Sequence, residues 1–357
     1  MTRLSPEQVW QELAHAGLVA GEAPEPSRSA TPWVVRLMLG VAGWFGALFV
    51  LVFLFLFFKH LWSSAQLLMA FGLALCSIAA VCYRSRHRND FIEQLGLALS
   101  LAGQYLVISG LLNWLGSRSN LSFVVVALFE AALVAVMADA LHRTLSAFAA
   151  AIALSYALFL QGAMNLPATA LAAGLVLVWT QEFAWSQRGA LLRPVGYGLA
   201  LAAVYIDHAL LRGEFWFLSR PIRHGQAFNV AEATTATLLL CVISLVAALR
   251  ILQREGIPPG STWSRVALFA SLAVSATSYR APGLAVGLLI LLLGFANGNR
   301  LLAGLGVLAL AAYLSHYYYQ LQWTLLDKSL VLFATGALLL ALRYGLSKFW
   351  GGEKRHA

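Results

Sequence analysis

The sequence predicts an all-α fold: a polytopic transmembrane helix bundle of about 12 spans with both termini cytoplasmic. Three observations carry this expectation. Of 357 residues, 60% are hydrophobic and 11% charged, with a mean hydropathy of +0.76; a soluble domain carries about 25% charge. Apolar runs of roughly 18 or more residues recur along the chain. Lipid offers backbone groups no water to bond, so runs of this length must be helices.

The elements follow in chain order. Residues 1–32 are polar and read as a cytoplasmic segment with a short amphipathic helix. Ser5 stands as its N-cap, Pro6 opens the first turn, Gln8 completes a capping box, Leu4 and Val9 occupy staple positions, and Gly17 is a natural stop. The stretch "GEAPEPSRSATP" (21–32) ties this helix to the bundle as a flexible linker. A basic start followed at once by an apolar core, the mark of a signal peptide, is not present here. The bundle takes up residues 33–347 and a basic cytoplasmic tail residues 348–357.

Twelve apolar segments fall near 34–58, 64–83, 91–114, 121–138, 144–160, 166–183, 195–211, 231–251, 266–279, 282–298, 301–316 and 328–346. With the N-terminus inside, 17 Lys and Arg lie in inside connectors and flanks against 7 outside, the bias expected of cytoplasmic termini. "YRSRHRND" (83–90) is the strongest anchor. The segments within 266–298 are the least regular and read either as two short spans or as a re-entrant hairpin.

Composition also limits function. The net charge of +9 is spread over short connectors, as lipid headgroups and topology require. No basic stripe carries stacking aromatics, so nucleic acid is not an expected partner. Cys76, Cys82 and Cys241 form no CxxC pair, and no histidines show HxxxH or HExxH spacing, so no metal site is expected. Phosphate-binding motifs are absent and no cofactor is expected.

Candidate sites rest on groups that are expensive in lipid. Glu130 lies mid-segment in "LSFVVVALFEAALVAVMADA", with Phe123, Ala127 and Val134 sharing its face. It is expected either to be protonated or to turn inward toward a group such as Gln104. Tyr205, Asp207 and His208 end the seventh segment; Asp207–His208 suits acid–base chemistry, although neighbours on a helix point about 100° apart and should not face one small ligand. The intracellular histidines His15, His87, His142 and His356 read as surface groups, mostly near basic residues. Gly283, Gly287, Gly294 and Gly298 form one small-residue stripe that lets a helix approach closely. "GVAGWFG" (40–46) does so less regularly, and Ser271, Ser275 and Ser278 give the ninth segment a small polar face. Asp327 is placed as N-cap of the last helix, with Lys328 snorkelling and His316, Tyr317, Tyr318, Tyr319 and Trp323 in the outer aromatic belt. The longest connector, "LRGEFWFLSRPIRHGQAFNVAE" (211–232), carries three arginines and either anchors in the belt or folds over the outer mouth.

The polar N-terminus and the ending "LLDKSLVLFATGALLLALR" resemble a family of bacterial multi-pass inner-membrane proteins classified only as a domain of unknown function. Leu326-Asp327-Lys328-Ser329 is the most distinctive string, and the similarity covers residues 33–343. The resemblance implies a bacterial inner-membrane location. It also implies a neighbouring gene for a membrane protein with a GDYXXLXY motif, hence a membrane-protein partner besides the lipid bilayer. It brings no catalytic residues. The leading expectation is a non-enzymatic subunit of a membrane complex. The alternatives are an ion-coupled permease or flippase-like transporter with Glu130 as its intramembrane carboxylate and, less favoured, a membrane-embedded hydrolase.

Overall fold

The computed structural model describes residues 6–17, 33–57, 64–85, 90–182, 186–212, 214–215, 220–221, 230–258, 260–276 and 282–320, with single residues 19, 279 and 326. The helices are α1 (Pro6–His15), α2 (Trp33–Phe57), α3 (Ala65–Arg84), α4 (Asp90–Leu115), α5 (Asn120–Val136), α6 (Ala140–Leu160), α7 (Leu166–Thr180), α8 (Gly189–Arg212), α9 (Val230–Arg254), α10 (Thr262–Ala276), α11 (Pro282–Ala296) and α12 (Arg300–Gln320). After α8, the short strands β1 (Glu214–Phe215) and β2 (Arg220–Pro221) pair antiparallel within the long connector.

Among the described residues five helices are long and apolar enough to cross a membrane: α3, α4, α6, α8 and α9. The helices α5, α7, α10 and α11 are shorter apolar elements of 15–17 residues. Each of α7, α10 and α11 has 15 residues, a rise of about 22 Å against a hydrocarbon core of about 30 Å. The expected span at 328–346, the cap Asp327, Ser5 and its linker, and the 348–357 tail lie outside the described residues. Within 266–298, α10 packs chiefly on α9 and α11 on α12, so the two do not pair tightly with each other.

Packing follows chain order. The closest partnerships join consecutive helices, α3 with α4, α5 with α6 and α11 with α12, while α2 lies on α4. The helix α8 binds these units together through α6 and α7. Its alanines Ala200, Ala202 and Ala203 are fully buried and meet Leu175 and Trp179 of α7, with Ile290 and Leu293 of α11 completing the largest core. Two smaller seams hold α5 against α3 and α4.

Glycine accounts for the closest approaches. A Cβ on Gly72 would stand 2.6 Å from the Gly103 carbonyl oxygen, and one on Gly43 2.9 Å from the Leu95 nitrogen. On α11, a Cβ on Gly283 would run into the Tyr313 ring, on Gly287 into Leu310, and on Gly294 into the Ala303 backbone. Three of the four expected stripe positions therefore face α12. Gly298 does not: it has φ +61 with open space around it, and it ends α11, where an orphan carbonyl needs a left-handed residue to close the turn. Gly298→Ala is expected to cost about 1 kcal/mol through that backbone strain, read as a lowered thermal midpoint in detergent.

The eighth helix starts six residues before the predicted 195. Pro194 lies inside it, where the missing N–H would deprive the Ala190 carbonyl of its helical partner. Arg143 of α6 supplies the replacement, donating through Nη1 to the Ala190 oxygen at 2.9 Å.

Candidate functional site

The turn between α5 and α6 builds the site. The helix α5 ends at Val136, leaving carbonyls without helical partners. Arg84 of α3 donates to the Val136 oxygen at 3.3 Å and Arg143 to the Val134 oxygen at 3.2 Å, cations placed where the helix dipole favours them. Asp139 then caps α6, its Oδ1 accepting from the His142 backbone N–H at 2.8 Å. This cap starts α6 four residues before the predicted 144 and draws residue 142 into the first turn.

The consequence is a correction to the surface reading of the histidines. Arg143 is spent on carbonyls, while His142 turns inward and is wholly buried. Its Nε2 lies 2.6 Å from Ser100 Oγ and 2.8 Å from Gln104 Nε2, and Gln104 Nε2 also donates to Ser146 Oγ at 3.2 Å. Ser100 and Gln104 are one helical turn apart on α4, and His142 and Ser146 one turn apart on α6. The two pairs face each other, as residues at i and i+4 must. With the Gln104 amide nitrogen on this side, it donates, His142 Nε2 accepts and a neutral ring carries its proton on Nδ1.

Glu130 of α5 completes the cluster and is also wholly buried. The Ser146 hydroxyl lies beside its carboxyl, yet neither carboxyl oxygen has a hydrogen bond of acceptable geometry among the described residues. His142 Nδ1 is likewise without a partner among them. Cys76 of α3 is within electrostatic range of Glu130 and donates weakly to the Ser100 carbonyl at 3.7 Å. Tyr83 stands edge-on to the His142 ring, centroids 6.1 Å apart. Gln104 and Glu130 thus lie on either side of the Ser146 hydroxyl, which accepts from Gln104.

The other expected pair lies elsewhere. Asp207 is 7% exposed, and with His208 it lines a cavity of about 450 Å³ between α6, α8, α11 and α12. Both residues thus line one cavity, although neighbours on a helix point about 100° apart. His208 packs edge-on against His316 at 5.8 Å. Among the described residues no three His, Cys, Asp or Glu side chains converge as a metal ion would require.

The model of one protein family, described as a domain of unknown function (DUF4401), matches residues 32–349. The chain belongs to the DUF4401 family. No curated protein and no solved structure matches it. The DUF4401 match spans α2 to α12, so both the Glu130 cluster and the Asp207 cavity lie inside it, whereas α1 precedes it. What sequence reading missed in this DUF4401 chain is His142. The available signal was Asp139, whose N-cap character puts residue 142 in a first helical turn.

Proposed function

We propose that the protein is a proton-coupled permease of the bacterial inner membrane, with about twelve spans and both termini cytoplasmic, in which Glu130 takes up and releases the coupling proton. One observation carries the reading: a carboxyl that is fully buried, has no hydrogen bond among the described residues, and sits at the end of a chain of buried polar groups. A lone negative charge at this depth costs several kcal/mol, so the carboxyl holds a proton or meets a cation. The chain offers a route. With Gln104 donating to Ser146, the Ser146 hydroxyl is available to Glu130. Turning the Gln104 amide presents its oxygen instead, so that His142 Nε2 and Ser146 both become donors toward it. The same heavy-atom positions then serve two proton arrangements.

The test is proton movement in liposomes carrying a trapped pH-sensitive dye. The wild type is expected to dissipate an imposed pH gradient, and Glu130→Gln, which keeps shape and removes the titrating group, should fall to the rate of protein-free vesicles. Equal rates for the two would remove Glu130 from the mechanism.

The non-enzymatic subunit remains a second reading, and α1 favours it. Val9 and Leu13, one turn apart, are 41% and 36% exposed, a face that a membrane partner such as the GDYXXLXY-type neighbour would cover. Purification in mild detergent should then recover a stoichiometric partner that is lost when both residues are changed to serine; a partner-free wild type would count against this reading.

A further inference from the structure

We infer that the cavity lined by Asp207 binds a hydrophobic organic ammonium ion. The cavity holds about 450 Å³, within the range of small-molecule sites. Among the described residues its walls are apolar or aromatic apart from Asp207 and His208, and Phe148, Tyr205 and Tyr313 bring three rings to it. Asp207 is more than nine-tenths buried, and its Oδ1 has no hydrogen-bond partner among the described residues. Among the described residues no Lys or Arg lines the cavity.

These facts define the occupant. The Asp207 carboxyl puts an acceptor and a negative charge at the cavity wall, and an ammonium supplies both the N–H donor and the opposite charge. Aromatic rings add attraction for the same cation. An anion would meet the Asp207 carboxylate, and among the described residues no Lys or Arg lines the cavity to hold it. The apolar remainder of the cavity accepts a ring or a short chain through burial alone. Gly283 and Gly287 form part of the wall, and the Tyr313 ring lies where a side chain on Gly283 would have to go, so the glycines admit the ring to the lining. The inference is independent of Glu130, which lines no part of the cavity. Two sources share this chemistry, a free hydrophobic amine and the amino headgroup of a phosphatidylethanolamine lipid.

The experiment is calorimetric titration of the purified full chain with 2-(2-naphthyl)ethylamine and, as the uncharged match, 2-(2-naphthyl)ethanol. Saturable amine binding at least tenfold tighter than the alcohol is expected, with Asp207→Asn removing that preference. Ala312→Phe, which adds bulk at an exposed residue of the lining, should weaken both probes without touching the carboxyl, and it keeps the test decisive if Asp207→Asn does not fold. No saturable binding, equal affinity for amine and alcohol, or an unchanged preference in Asp207→Asn would each overturn the inference. In nanodiscs, weaker amine binding with phosphatidylethanolamine than with phosphatidylglycerol alone points to the lipid headgroup; equal binding points to a free amine.

Discussion

Gly294→Leu is expected to separate α11 from α12 and to cost about 3 kcal/mol or more. Even a Cβ at this position would stand 2.7 Å from the Ala303 Cα and 2.9 Å from the Leu302 carbonyl carbon. Those are backbone atoms and have no rotamer to give. The same seam closes from the other side, where a Cβ on Gly306 would lie 2.6 Å from the Leu291 nitrogen. A leucine must therefore push the helices to the ordinary spacing of 8–10 Å, giving up dispersion contacts along the pair. Overpacking of a rigid site alone costs about 1–3 kcal/mol, and the lost seam adds to it. Gly304 of α12 is the control, because nothing lies within 4 Å of a Cβ placed there; Gly304→Leu should be near neutral. Unfolding in mixed detergent micelles reads both variants, and equal midpoints for the two would refute the close seam.

His142→Ala is expected to destabilise by about 3 kcal/mol, mostly through the cavity left in a fully buried site. The lost bonds to Ser100 and Gln104 contribute less, since hydrogen bonds within membranes average about 0.6 kcal/mol. His142→Phe separates the two effects. It restores volume and leaves the two polar groups facing a ring, so it should cost about 1 kcal/mol. The same micelle titration distinguishes them: Phe as damaging as Ala would mean that the polar bonds dominate, and an Ala variant of unchanged stability would mean that the residue is not packed.

Much of the architecture was legible because hydropathy is a property of long windows. The segment at 64–83 became α3 and that at 282–298 became α11 with small shifts at the ends. Glu130 was legible as well, since a charge amid apolar residues stands out against its own helix. What escaped reading depends on single atoms contributed by other helices. The inward turn of His142 needs the Asp139 cap, and Arg143 beside it was misleading because its charge suggested a wet surface. The start of α8 depends on a carbonyl of Ala190 that Arg143 satisfies, and no window of the sequence encodes that contact. Gly298 matched the stripe by spacing, yet spacing cannot separate a packing glycine from one that ends a helix. The expected number of spans is the part least visible in the fold, with five helices reaching membrane length among the described residues.

The pairing of α3 with α4, α5 with α6 and α11 with α12 bears on how the protein is made. In α3–α4, α5–α6 and α11–α12 the tightest contacts form between segments that leave the ribosome one after the other, and the Gly72–Gly103 and Gly294–Ala303 seams need no distant partner to form. Contacts of this kind have low contact order and little loop entropy to overcome. Within this order α8, with its buried alanines, meets α6 and α7 already made and must wait for α11 and α12 to complete the largest core.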